Sequence, residues 1–348
     1  MLPRSLPSPR LIPADSVRPL RWGVIGPGGI AEIFVDAVHK HTNQRVVAVA
    51  SQTHGKAEAF ASSRGIEFAL NSYEALVSRD DIDVVYVATP HQFHRAHAEL
   101  AIAAGKHVLI EKPLAPTAED AQAIATAASA AGVLAMEAMW TRYLPQTDVI
   151  RQLLAEGILG EIKLVQSDSG QALLHIPRLV DPGAGGGLLD LGIYNFAFTS
   201  LVLGEAEKVS ASGTLTASGV DDTANVLLGY ESGAQATILN SISAFTPTVA
   251  SISGEKGLLT LGRPFFTPTS LTLCGAEFNA EPVAVWRDES GIEGHEGLSY
   301  QATALASYVE QGITDSPARP LAEAVSDISL IQQARHQIGA FLTGENRN

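Results

Sequence analysis

The sequence predicts an α/β protein: a doubly wound parallel sheet at the N-terminal end, followed by a second domain built on a mainly antiparallel sheet. Three observations carry this. The 348 residues exceed what one core usually holds, since single cores stop growing at roughly 250–300 residues. From Arg21 to about Tyr143, short β-branched runs alternate with Ala-rich helical stretches, the pattern of βαβ units. Beyond about Leu144, alternating strands succeed one another with few helices between them, which argues for antiparallel pairing. The expected organisation is a flexible Pro-rich tail over residues 1–20, a parallel-sheet domain over 21–143 and a second domain over 144–348.

In the first domain, candidate strands at residues 22–25, 46–50, 84–88 and 107–110 alternate with amphipathic segments at 30–39, 56–64, 72–78 and 94–104. Each segment has about the length of a crossover helix. Gly105 supplies a helix stop, and residues 117–131 open with Thr-Ala-Glu-Asp, an N-cap followed by early acidic charge. In the second domain the alternating runs fall at 162–167, 207–215, 224–230, 234–241 and 248–253. Helical periodicity returns at 300–311 and 321–342, joined by a Pro-containing loop at 316–320.

Composition narrows the partners. No apolar run approaches the ~20 residues that a membrane span requires, so a soluble protein without membrane partners is expected. The formal net charge of −14 repels phosphate backbones, and no Lys/Arg cluster with interleaved aromatics reverses that field locally, which argues against nucleic acid. Cys274 is the only cysteine, so an intrachain disulfide is ruled out and the chain suits a reducing, cytoplasmic compartment. Residues 1–20 lack the apolar stretch of a secretory signal.

The most informative segment is Trp22-Gly23-Val24-Ile25-Gly26-Pro27-Gly28-Gly29-Ile30-Ala31, which sets a strand before a Gly-rich turn and a helix after it. Gly26 permits the tight turn. Gly28 and Gly29 let a pyrophosphate approach the backbone, where the free N–H groups and dipole of the helix opening at Ile30 favour an anion. Ala31 replaces the third glycine, which the pattern allows. Residues 21–143 are therefore expected to bind a dinucleotide. At the end of the second strand, where NAD-binding proteins usually place an acidic residue for the ribose hydroxyls, the sequence reads Ser51-Gln52-Thr53-His54. With no carboxylate to repel a 2′-phosphate, the sequence leans to NADP over NAD, although no arginine clamps the position.

Two further strand ends carry Thr89-Pro90-His91-Gln92-Phe93-His94 and Glu111-Lys112-Pro113, and carboxyl ends of strands are where doubly wound sheets bind ligands. With the downstream run Gly185-Gly186-Gly187-Leu188-Leu189-Asp190-Leu191-Gly192-Ile193-Tyr194, the chain resembles the Gfo/Idh/MocA oxidoreductase family. Glu137-Ala138-Met139-Trp140-Thr141-Arg142-Tyr143-Leu144-Pro145 and Pro264-Phe265-Phe266 are similar to its dimeric dihydrodiol dehydrogenase and NADP-dependent D-xylose dehydrogenase branch. The resemblance spans essentially everything after Leu20. It implies a Rossmann domain, then an α/β domain with a large open-faced sheet for substrate binding and oligomerisation, an NADP or NAD cofactor, a carbohydrate-like substrate and a homodimer or higher oligomer. It also implies that Lys112 lies near the nicotinamide and substrate, that Glu111 and Pro113 hold its loop, that Thr89, Pro90 and His94 line the cofactor cleft, and that Trp140 and Arg142 border the nicotinamide.

Hydride transfer to or from a CH–OH carbon needs a positioned acid/base for the hydroxyl proton. Many relatives carry histidine four residues after the aspartate, whereas this chain carries Tyr194. Asp190 and Tyr194 are spaced i, i+4 and share one face if a helix starts after the glycines. A free tyrosine titrates near pH ~10, so it works as a base only beside a cation. Tyr194 is expected to relay the proton, Lys112 to lower its pKa and bind the substrate oxygen, and Asp190 to orient substrate or lysine. His175 and Arg178, in the loop before the glycines, are candidates for substrate contacts. His91, His94 and His97 recur every three residues, but nothing in the sequence completes a metal site around them, and none is expected. A regulator that kept the fold and lost the chemistry is the alternative reading; retention of Lys112, Asp190 and Tyr194 together favours an enzyme.

Overall fold

A computed structural model describes residues 2–345. Its first elements are β1 (Arg21–Ile25), α1 (Gly29–His41), β2 (Arg45–Ala50), α2 (Lys56–Arg64), β3 (Phe68–Leu70), α3 (Tyr73–Val77), β4 (Val84–Val87), α4 (His94–Ala103), β5 (His107–Ile110), α5 (Ala118–Ala131) and β6 (Ala135–Glu137). The chain continues through α6 (Pro145–Ala155), β7 (Ile162–Gly170), α7 (Ile193–Leu203), β8 (Lys208–Leu215), β9 (Asp221–Gly229), β10 (Gln235–Ser241) and β11 (Ala250–Gly254). It closes with β12 (Gly257–Leu261), β13 (Ser270–Gly275), β14 (Pro282–Arg287), α8 (Leu298–Glu310) and α9 (Leu321–Ile338). Two compact units result, one of Ile12–Tyr143 with Glu293–Val325, the other of Leu144–Ile292 with the chain up to Leu11 and from Ser326 onward.

The first unit holds a six-stranded sheet in the order β3-β2-β1-β4-β5-β6, parallel throughout. Strands covered on both faces read as continuous apolar runs, as in the fully buried Val84–Val87. Sequence pattern places β1, β2, β4 and β5 within a residue of their observed ends. It misses β3 and β6, three residues each, which are too short to display a period. Helix ends follow local chemistry: the Thr117 hydroxyl accepts from the Asp120 amide at 3.2 Å, and Gly132 stops α5 at φ +64°. Residues 12–20, expected to be part of a flexible tail, form neither helix nor strand but are tied down. Val17 and Leu20 are buried, and the Leu20 amide donates to Gln44 at 2.9 Å.

The second unit holds an eight-stranded sheet, β14-β13-β12-β11-β7-β10-β9-β8, in which only β7 and β10 run parallel. This is the α/β architecture expected from the sequence. The early residues of the chain are anchored here too, with the Arg10 amide donating to Asp148 at 2.7 Å and Gln152 donating to the Ser8 carbonyl at 2.9 Å. Beyond the i, i+4 spacing of Asp190 and Tyr194, the sequence displays no periodic sign of α7, because Ile193–Ser200 is buried on every side and shows no polar face. Helical periodicity carries the last helix to residue 342, but Gly339 at φ +89° follows its end at Ile338. No helix among the described residues is long and apolar enough to cross a membrane.

Candidate functional site

Parallel pairing aligns the strand ends of the first unit in one row. Ile25 pairs with Ala50 on one side and Val87 on the other, Val87 pairs with Ile110, and Ile110 with Glu137. The loops that follow, starting at Gly26, Ser51, Ala88, Glu111 and Ala138, therefore leave the same sheet edge, and strand order reverses at β1, the switch point where such sheets bind ligands. Gly26 sits at φ +89°, and a Cβ there would stand 2.8 Å from Thr89 and 3.0 Å from the Ala88 backbone. Only glycine fits. At Gly28 and Gly29 a Cβ would meet nothing within 4 Å, so the start of α1 is open, and its first amides lack intrahelical acceptors. An open, positively polarised cradle of bare backbone fits a dinucleotide pyrophosphate.

At the end of β2, Ser51 is buried and its hydroxyl accepts from the Thr53 amide at 3.1 Å, which leaves Gln52, Thr53 and His54 exposed. Arg64 does not serve this position with a free charge, being paired with Asp36 at 3.1 Å.

The Lys112 loop is held on three sides. Tyr86 donates its hydroxyl to the Glu111 carboxylate, the Leu114 amide donates to Glu137 at 2.9 Å, and the Pro113 carbonyl faces His94 Nδ1 at 2.9 Å. His94 Nε2 faces the Thr89 carbonyl at 2.8 Å, so one imidazole joins the β4 and β5 loops. The His94 ring, expected to line the cofactor cleft, is fully buried with both nitrogens turned to main chain, so it acts on the cleft through the loops it joins. Burial, outweighing these hydrogen bonds, lowers its pKa to about 4, and a neutral ring donates to one carbonyl at a time.

Arg142, expected to border the nicotinamide, is turned to protein partners. It is buried, with its guanidinium committed to Glu323 and to the Ala318 carbonyl. Arg319 joins the same cluster, reaching Glu137 and Glu323 at 2.8 Å each. Trp140 is 1% exposed and stacks on His295 at 5.4 Å. The exposed ring at this place is His295, a residue that the sequence reading did not find. Desolvation against its neighbours, and secondarily the Lys112 ammonium, hold His295 below the ordinary histidine range. No local pattern marks it, since it arrives from a short 3₁₀ turn, Gly294–Gly297, far along the chain.

In the second unit, Asp190 and Tyr194 stand on a continuous helical segment, as the spacing predicts, but it opens with a π turn at Leu188–Gly192 before α7. Such turns recur at functional sites. Asp190 is buried and paired at 2.8 Å with Arg178, the exposed loop arginine expected to touch substrate. His175 is exposed in the same loop. Tyr194 is 7% exposed and stacks on Phe266 at 4.8 Å. The three glycines make close approaches, but to the protein's own groups: a Cβ at Gly186 would stand 2.2 Å from Asp221 Oδ1, and one at Gly187 2.5 Å from Asn240 Oδ1. No group of three or more potential metal-ligating side chains occurs among the described residues.

Comparison with known proteins gives this arrangement a setting. Residues 20–139 match the oxidoreductase family model with NAD-binding Rossmann fold of the Gfo/Idh/MocA group, and residues 147–260 match the C-terminal domain model of that group. The chain is 36% identical to trans-1,2-dihydrobenzene-1,2-diol dehydrogenase of Mus musculus over 333 residues, covering 94% of this chain and 99% of the mouse protein. The Homo sapiens protein of the same name is 35% identical over 335 residues, with the same coverage of 94% and 99%. Among solved structures, a 3-ketoreductase from Actinomadura kijaniata in complex with TDP-benzene and NADP superposes with a TM-score of 0.76 at 28% identity, covering 93% of this chain and 98% of that one. An aldose-aldose oxidoreductase from Caulobacter crescentus shares the fold with a TM-score of 0.81 at 24% identity, covering 92% and 97%.

Proposed function

The chain belongs to the Gfo/Idh/MocA oxidoreductase family, and on that premise we propose that it is an NADP-preferring dehydrogenase or reductase acting on the CH–OH group of a cyclic diol, sugar or polyol. The observation that carries this reading is Lys112 in the loop after β5, which leaves the same row of strand ends as the Gly26–Ile30 turn. The names of the relatives, a diol dehydrogenase and an NADP-bound ketoreductase, support the substrate class and the cofactor.

The nicotinamide, when bound, exchanges a hydride with the substrate carbon. The backbone of Gly28, Gly29 and Ile30 receives the pyrophosphate, while Ser51, Gln52 and Thr53 accept a 2′-phosphate with no carboxylate to repel it. Thr89 and Pro90 shape the neighbouring loop. Glu111 holds that of Lys112, whose ammonium binds the substrate oxygen. Tyr194 takes or returns the hydroxyl proton, and a cation such as Lys112 is what its phenol needs to do so near neutral pH. Asp190, kept in place by Arg178, orients the substrate.

We further propose a homodimer or larger assembly through the bare face of the eight-stranded sheet. Leu227, Leu239 and Val249 line a concavity of about 910 Å³ there and are exposed. Sedimentation velocity should show a species of at least twice the monomer mass; a monomer at micromolar concentration contradicts that part.

Turnover of trans-dihydrodiols, aldoses and polyols with NADP⁺ and NAD⁺ tests the reading. It expects reduction of NADP⁺ to outpace that of NAD⁺ with at least one such substrate. NADPH binding by fluorescence with no turnover on any of them would return the protein to the regulator class.

A further inference from the structure

The proton relay requires Tyr194 and Asp190 to stand in fixed places, and their helical segment is fastened by side chains remote in sequence. We propose that Asp221 is a positioning residue for this segment: it caps the turn at Gly186–Leu188 and so sets the start of the helix that carries Asp190 and Tyr194. The proposal rests on the Tyr194–Asp190 reading.

Asp221 is the first residue of β9 and is 1% exposed. Its Oδ2 accepts from the Leu188 amide at 2.6 Å, across 33 residues of chain. Helices usually cap themselves with a Ser, Thr, Asp or Asn immediately before their first turn. Here Gly187 holds that place and no local side chain caps the π turn, so the duty passes to a carboxylate on the sheet. The glycines make it possible. Gly186, at φ +110°, and Gly187 bring bare backbone against Asp221 and Asn240 at distances that any Cβ would break.

The segment is held beyond the turn as well. Asn240 donates to the Ser169 carbonyl at 3.1 Å, and the Ser169 hydroxyl meets the Leu191 carbonyl at 3.3 Å and the side chain of Asn195. Leu188 is thus pinned to β9, and Leu191 and Asn195 to Ser169 of β7, which Asn240 of β10 supports; Asp190 and Tyr194 lie among them. On its far side Asp221 feels the charge of Arg335, a buried guanidinium paired with Glu345 at 2.9 Å. Burial pushes the Asp221 carboxyl up, opposed by the Leu188 amide and Arg335. A carboxylate so deeply desolvated is costly unless hydrogen-bonded, and its main-chain partner belongs to the turn that it would position.

Asp221→Ala should lower kcat roughly 10- to 100-fold, the scale set by a misplacement of about 1 Å, while the Kd for NADPH stays within about twofold because the phosphate turn lies in the other unit. Asp221→Asn keeps an amide oxygen for the Leu188 amide and should recover most of the rate. The pairing of Asp221→Ala with Tyr194→Phe should lose clearly less than the product of the two single losses, since part of what Asp221 does is to place Tyr194. If the alanine variant does not fold, Gly187→Ala, which drives a methyl group against Asn240 and the Asp221 carboxylate, is expected to give the same loss of kcat. Wild-type kcat per folded molecule in Asp221→Ala or Gly187→Ala, or losses that multiply in the double variant, overturn the proposal. Wild-type turnover in Tyr194→Phe overturns the relay reading itself, whatever the Asp221 variants do.

Discussion

The Lys112 loop and the Gly186–Asn195 segment solve the same problem by different means. Each carries a side chain to which the proposed reaction gives a role, and each is bound through its main chain to buried polar groups. Lys112, however, comes two residues after the end of β5, so the ladder that pairs Val87 with Ile110 and Ile110 with Glu137 already fixes its height on the sheet. His94 and Glu137 refine a position that the strand supplies. Tyr194 inherits nothing comparable: its helix begins on flexible glycines, and individual side chains of β7, β9 and β10 determine where it starts. Positions at strand ends should therefore tolerate loss of a tether better than positions at a helix start.

The severest test of that contrast is Arg319→Leu. Arg319 and Glu137 are both fully buried, and leaving the carboxylate unpaired should cost about 3–5 kcal/mol, read as a fall in Tm. Yet kcat per folded molecule is expected to fall less than in Asp221→Ala, because β5 still delivers Lys112. A larger loss of kcat in Arg319→Leu would reverse the comparison.

Acid separates the regions by sign. His94 has its folded pKa lowered to about 4 from an ordinary 6.5, so it favours folding above pH 6.5, and that contribution disappears as pH falls from 6.5 toward 4. The total is about 3 kcal/mol. Asp221 is raised instead, so its contribution is present below its ordinary 3.8 and is lost as pH rises through the folded value. Acid unfolding followed by circular dichroism should be shallower between pH 6.5 and 4 in His94→Gln than in wild type; identical slopes would remove His94 from the account.

Gly26→Ala forces a methyl group against the Ala88 backbone at positive φ, a strain of about 1–3 kcal/mol, and should raise KM for NADP⁺ while leaving the Tyr194 segment untouched. The mildest expected change is in cofactor choice. Thr53→Asp sets a carboxylate at the exposed end of β2, and the NADP/NAD ratio of kcat/KM should drop about tenfold, equivalent to about 1.4 kcal/mol. An unchanged ratio would mean that the Ser51–Thr53 turn does not read the 2′-phosphate.

The same contrast explains what the sequence discloses. β1, β2, β4 and β5 are legible because their apolar runs give way to Gly26, Ser51, Thr89 and Glu111, and ligand-binding loops follow strand ends by rule. The spacing of Asp190 and Tyr194 is legible for a similar reason, since a helix repeats every few residues. Long-range partnership is not. Nothing near Arg142 announces Glu323, nothing near Asp190 announces Arg178, and nothing near His94, the first residue of α4, announces that its ring faces two main-chain carbonyls. His295 and Asp221 left no local trace, because their roles are created by tertiary neighbours alone.

The proposal that Lys112 and Tyr194 serve one proton-transfer step is most directly tested by a double-mutant cycle on kcat with Lys112→Met and Tyr194→Phe, NADPH binding being checked in each variant. Groups that act as a unit are strongly non-additive. The expected result is a loss of roughly 100- to 10,000-fold in each single variant, with the double variant no slower than the worse of the two. Losses that multiply, or near-wild-type turnover in either single variant, would contradict it.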